Sequence, residues 1–121
     1  MSDHDYDIRL DNAYGMSQHI DVGALADSST PWFNQTLTSV NDCVVRLGVI
    51  HGEFHWHHHE DEDEFFYVVE GELLLDLAGE TITLGPRQGY TVPRGVRHRT
   101  RAPERTVMLM VEAATVAPTG D

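Results

Sequence analysis

From Phe33 to Glu112 the chain is a succession of short apolar runs: FNQTLTSV, CVVRLGVI, EFHWHH, FFYVVEG, ELLLDL, ETITL, GYTVP, HRTRA and RTVMLMVE. Each is rich in β-branched, aromatic or aliphatic residues. Turn formers separate them: Asn41-Asp42, Gly52, Gly71, Ala78-Gly79, Gly85-Pro86 and Pro93-Arg94-Gly95. Runs this short and this closely punctuated suit strands better than packed helices. Many such strands in succession predict an all-β fold, a sandwich or a barrel. The exception is IDVGALADS, which reads as one short helix ahead of the Ser28-Ser29-Thr30-Pro31 break. The expected organisation is an irregular or helical N-terminal extension over residues 1–31, then a single domain over 32–121 with a short C-terminal tail.

Composition narrows the partners. The 121 residues suit one domain with one core, and 40% hydrophobic with 23% charged residues reads as globular. Twenty acids against eight basic residues, all arginine, give a formal charge of −12. Such a surface repels phosphate backbones, so nucleic acid and anionic membrane are disfavoured as partners. No apolar run approaches the ~20 residues that cross a bilayer. The opening MSDHDYDIRLDN lacks the basic-then-apolar order of a signal peptide, so a cytoplasmic location is expected. Six arginines lie between Arg87 and Arg105, where they either balance the acids or meet an anionic ligand. The single cysteine, Cys43, excludes an intramolecular disulfide and is expected as a small core residue.

The stretch Gly52–Gly71, GEFHWHHHEDEDEFFYVVEG, concentrates histidines and carboxylates. It is either a polar loop or one wall of a metal site. Side chains two apart on a strand share a face, which groups His55, His57 and His59 against Phe54, Trp56 and His58. His57 and His59 are then close enough to reach one ion. If the chain turns through residues 60–63 and returns antiparallel, Glu64 comes beside them with an oxygen ligand. Outside residues 51–59 the histidines are His4, His19 and His98. Of these, His98 follows the Pro93-Arg94-Gly95 turn in TVPRGVRHRTRA, where tight backbone geometry can fix a ligand.

Together these residues resemble the two motifs of a small single-domain cupin, over residues 32–112. The first motif reads Gly52, His57-His58-His59, EDED, Glu64, FFYVVE, Gly71. The second reads Gly89, Pro93-Arg94-Gly95, Val96-Arg97, His98, RTR, Ala102. Gly52 and Gly89 stand closer to the residues that follow than the general pattern has them, and Ala102 replaces the usual asparagine. None of the three departures touches a ligand position. The wording WHHHEDEDEFFYVVEGEL is most like small bacterial cupins labelled as mannose-6-phosphate isomerase-like, a label that describes a fold.

The resemblance implies a double-stranded β-helix or jelly-roll barrel. It also implies that His57, His59, Glu64 and His98 bind one divalent transition metal: iron, manganese, nickel, zinc, cobalt or copper. His55 shares their face, either as a pocket donor or general base or as a polar residue at the rim. Phe66, Val68, Met108 and Met110 are expected to line an apolar pocket, while residues 60–63 form a solvated loop. Two functions follow: a metal-dependent oxygenase, isomerase or lyase acting on a small organic molecule, or a non-catalytic module that binds a small molecule or the metal. A homodimer is expected by analogy, through CVVRLGVI and Trp32-Phe33.

Overall fold

The structure, a computed structural model, describes residues 6–121; His4 lies outside them. The elements in chain order are β1 (Asp7–Arg9), α1 (Val22–Asp27), β2 (Phe33–Val40), β3 (Cys43–Glu53), β4 (Glu64–Glu70), β5 (Leu73–Leu77), β6 (Glu80–Leu84), β7 (Gly89–Val92) and β8 (His98–Ala113). The fold is an all-β jelly roll. Its spine is β8, whose 16 residues pair with β3 along one edge. On the other edge β8 pairs with β5 through His98–Arg101 and with β4 through Val107–Glu112. All these pairs are antiparallel, and only β1 runs parallel to its neighbour β2.

The two faces of the sheet are buried differently. Ile50, Phe66, Met108 and Met110 point into the barrel. Leu37, Leu47, Val49 and Val107 point the other way and are covered by Tyr14, Ile20, Val22 and Leu25 of the N-terminal segment. Asp21 starts α1 by accepting a 2.9 Å hydrogen bond from the Ala24 amide, a side-chain N-cap. Within one chain, part of the surface expected to dimerise packs against this segment. Phe33, Leu47 and Val49 are each at most 6% exposed under this segment, while Trp32, 8% exposed, packs in the barrel cluster against Tyr6 and Phe54.

Three local readings change. The run EFHWHH is not a regular strand: β3 ends at Glu53, the Phe54 amide still donates to the Thr100 carbonyl of β8 at 2.9 Å, and beyond it the chain meets β8 by an isolated bridge at His57. HRTRA and RTVMLMVE are one strand. A register shift sets Ile50 against Thr106 and Gly52 against Ala102, so Pro103 falls in a bulge where no ladder donor is needed. Cys43 opens β3 at the sheet's end and is exposed. The late arginines do balance acids, Arg105 with Glu70 and Arg94 with Asp63. Arg99 and Arg101 both reach Asp76.

Candidate metal centre

Three chain segments converge at one end of the barrel. After β3 the chain returns to β8 at His57, whose amide and carbonyl exchange 2.9 and 2.8 Å hydrogen bonds with those of His98. The turn before His98 needs Gly95 at φ +78°, a left-handed conformation costly for a residue with a Cβ. That same Gly95 donates its N–H to the His59 carbonyl at 2.8 Å, tying the second motif to the first. Glu64 begins β4, in register with Val92 on one side and Glu112 on the other.

These contacts bring His57, His59, Glu64 and His98 together, with one ligand atom of each lying within 4.8 Å of the others. His59, Glu64 and His98 are at most 5% exposed. His57 Nδ1 donates to the His55 carbonyl at 3.0 Å and His98 Nδ1 to the Val96 carbonyl at 2.9 Å. Those bonds fix the tautomer, so each ring presents Nε2 as a lone pair. His98 Nε2 lies 3.3 Å from Glu64 Oε1, and His59 Nε2 lies 3.3 Å from the same oxygen. A lone pair facing a carboxylate is repulsive unless a proton or a cation stands between them. The donor set, three imidazoles and one carboxylate, fits a divalent transition metal.

The electrostatics agree. Burial lowers the pKa of His57 to about 4, and the Nδ1 bond to His55 only partly opposes this, so the ring is neutral and ligand-ready. Burial also works against a charged His59, but the Glu64 carboxylate outweighs it and Asp121 and Glu62 add to it, raising this pKa overall. Burial favours a neutral Glu64. Its contacts with His59 and His98, and then Glu112, prevail and hold it well below the usual carboxylate range.

Two neighbours escaped the sequence reading. Arg46 and Glu112, each 3% exposed, face each other inside the barrel with Arg46 Nε 3.5 Å from Glu112 Oε2. Burial and the adjacent Glu64 push Glu112 up to about 9, with Arg46 opposing. The signal was phase: Glu112 follows Met108 and Met110 at two-residue spacing, and Arg46 precedes Gly48. Met108, Met110 and Phe66 line the pocket beside His57 and Glu64, as does Glu112. Residues 114–121 also fold back over the site, where the sequence suggested only a tail. His55 is not among the four clustered donors. Its Nε2 donates to the Thr119 carbonyl at 2.6 Å, and Nδ1 faces the Tyr6 hydroxyl at 3.5 Å. Trp56 is within cation–π range of Arg97 and Arg99, whose guanidinium carbons stand 5.5 and 5.3 Å from the centre of the indole ring.

Comparison with known proteins agrees with this geometry. The family model of the Cupin domain matches residues 43–112, which run from the start of β3 almost to the end of β8 and include all four clustered residues. The chain belongs to the cupin family. It is 50% identical over 80 residues to the uncharacterized protein YdbB of Bacillus subtilis, covering 65% of this chain and 71% of that one. It is 51% identical over 45 residues to the polyketide synthase CurC of Streptomyces cyaneus, a match spanning 37% of this chain and 29% of the relative. A cupin-2 domain protein from Shewanella frigidimarina superposes with a TM-score of 0.74 at 32% identity, covering 78% of this chain and 93% of that one.

Proposed function

We propose that His57, His59, Glu64 and His98 hold one divalent transition metal, and that the chain is a metal-dependent enzyme acting on a small organic molecule in the barrel pocket. The observation that carries this reading is the pair of backbone-fixed imidazoles, His57 and His98, converging with His59 on one buried carboxylate. Held by these three imidazoles and one carboxylate, such a metal would supply Lewis-acid stabilisation of negative charge on a substrate oxygen. The chain's own residues supply the rest. Met108, Met110 and Phe66 keep water from the reacting end and favour an apolar substrate body. The Nδ1 bonds of His57 and His98 hold their rings in place, and Glu112 presents a second carboxyl group at the pocket wall.

Oxygenase, isomerase and lyase chemistries all suit such a site. The polyketide synthase name of one relative makes carbonyl-bearing polyketide-type compounds the first substrates to test. Elemental analysis of untagged protein, beside a His57→Ala/His59→Ala variant, tests the reading. About one tightly held transition metal per chain, lost in the variant, is the expected result. Iron then directs the assays to oxygen consumption, and zinc, nickel or manganese to isomerase and lyase screens. A wild type that is metal-free and takes up no added divalent ion overturns the metalloenzyme and leaves a non-catalytic binding module.

A further inference from the structure

The residues after β8 are laid across the metal end of the barrel. The Thr119 carbonyl accepts from His55, and the Asp121 amide donates to the His58 carbonyl at 3.1 Å. Asp121 Oδ2 accepts from the Glu60 amide at 2.7 Å, and the Thr115 hydroxyl donates to Glu62 at 2.8 Å. Gly120, at φ +95°, packs so closely that a Cβ there would lie 2.5 Å from the His57 Cβ. Such a strap could be a mere cover. One feature of the histidines says otherwise.

His57 and His98 each spend their Nδ1 proton on a backbone carbonyl, but His59 does not. Its ring is 2% exposed, and neither nitrogen has a hydrogen-bond partner. Nε2 faces Glu64, which leaves Nδ1 as the buried donor to be accounted for. A ring nitrogen of His59 and carboxylate oxygens of Glu62 and Asp121 all lie within 4.8 Å of one another. Metal-bound imidazoles regularly give their other N–H to a carboxylate, carbonyl or water, which fixes the ring and raises its basicity.

We propose that Asp121, with Glu62 beside it, is the positioning carboxylate of the metal centre. It accepts the Nδ1 proton of His59, directly or through one water, and so fixes the orientation in which His59 offers Nε2 to the metal. The C-terminal strap is then a working part of the centre. This rests on the metal reading above and assigns a role to residues that lie outside the four ligands.

The test is cobalt(II) affinity by competition with a chromophoric chelator, comparing wild type with Glu62→Gln/Asp121→Asn. Both amides keep an acceptor for Thr115 and for the Glu60 amide, so the strap stays clasped while its charge is removed. The double variant binds cobalt about ten- to a hundredfold more weakly, with the thermal midpoint of the metal-free protein unchanged and the cobalt d–d spectrum altered. Asp121→Glu, which keeps the charge, retains most of the affinity. Equal affinity in wild type and double variant overturns the proposal while leaving the metal reading intact. Two ions per wild-type chain, reduced to one in the variant, overturn it in favour of a second cation between His59, Glu62 and Asp121. A wild type that binds no cobalt overturns both readings together.

Discussion

Asp76 on β5 and Glu64 on β4 are both carboxylates nearly removed from solvent, and both are held well below the usual carboxylate range. Their surroundings differ. Asp76 accepts from Arg101 Nε at 2.6 Å, Arg99 Nε at 2.7 Å and the Thr81 hydroxyl at 2.7 Å, so permanent cations compensate it fully. Glu64 is surrounded by histidines, whose charge depends on a bound proton or ion, and by a second carboxyl, Glu112. Buried polar atoms without partners gather there too, on His59, Arg46 and Glu112. A satisfied carboxylate network holds a fold together, whereas an unsatisfied one is shaped for something it lacks.

The largest test of that contrast is to neutralise each carboxylate in turn. Glu64→Gln removes the oxygen ligand and the charge that matches the metal. Its metal affinity falls by more than about a hundredfold, beyond the loss typical of residues outside the ligand set. Chelator competition on both variants measures this, and Asp76→Asn binds metal as the wild type does. If Glu64→Gln retained the wild-type affinity, the distinction between the two carboxylates would collapse.

The next effect lies on the outer side. Asp76→Asn loses charged hydrogen bonds to two arginines that are themselves about a quarter to a third exposed. The cost is about 1–2 kcal/mol once solvent screening of those arginines is allowed for. Because the folded-state pKa of Asp76 is depressed, this stabilisation is present above the ordinary carboxylate range and is lost as the pH falls through and below it. Urea unfolding of both proteins from neutral to strongly acidic pH shows the two curves converging in acid. A gap that persists undiminished in acid shows that packing, and not charge, makes the Asp76 cluster stable.

The sequence made the same contrast only half visible. The strands were legible because β-branched runs and turn residues alternate so regularly. The four clustered residues were legible because His57-x-His59, Glu64 and His98 fall at the positions of the two cupin motifs that the sequence resembles. What stayed hidden depends on tertiary contact. His55 to His59 read as a strand by alternation, yet the regular ladder ends after Glu53 and the Phe54 amide, and the backbone bridges β8 again at His57. Tyr14, Ile20 and Leu25 gave no sign of which sheet face they cover. Arg46 and Glu112 were passed over because a charged residue in a strand is normally taken to face water, although their phase placed them inside. The tail ATVAPTGD looks unstructured because its order comes from contacts with residues 55–62, distant in sequence: the His55 ring on the Thr119 carbonyl, the Glu60 amide on the Asp121 carboxylate and the Thr115 hydroxyl on Glu62.

The subtlest test concerns Glu112 itself. Arg46, at 3.5 Å, would keep it ionised if that pair resembled the Asp76 cluster. Burial and the nearby Glu64 instead raise it from 4.5 to about 9, against the opposing pull of Arg46, so the metal-free protein holds a proton on it at neutral pH. The unfolded chain loses that proton near the ordinary glutamate value. Between roughly pH 5 and pH 9 the folded state therefore binds more protons than the unfolded state, and this residue's contribution to stability falls as the pH rises. Glu112→Gln copies the protonated side chain and cannot lose it. Denaturant midpoints of the two metal-free proteins across that window show the wild type falling more steeply than the variant. Parallel curves would mean that Arg46 keeps Glu112 ionised throughout. The barrel interior would then hold a compensated ion pair like the one outside, and only the histidines would distinguish the two networks.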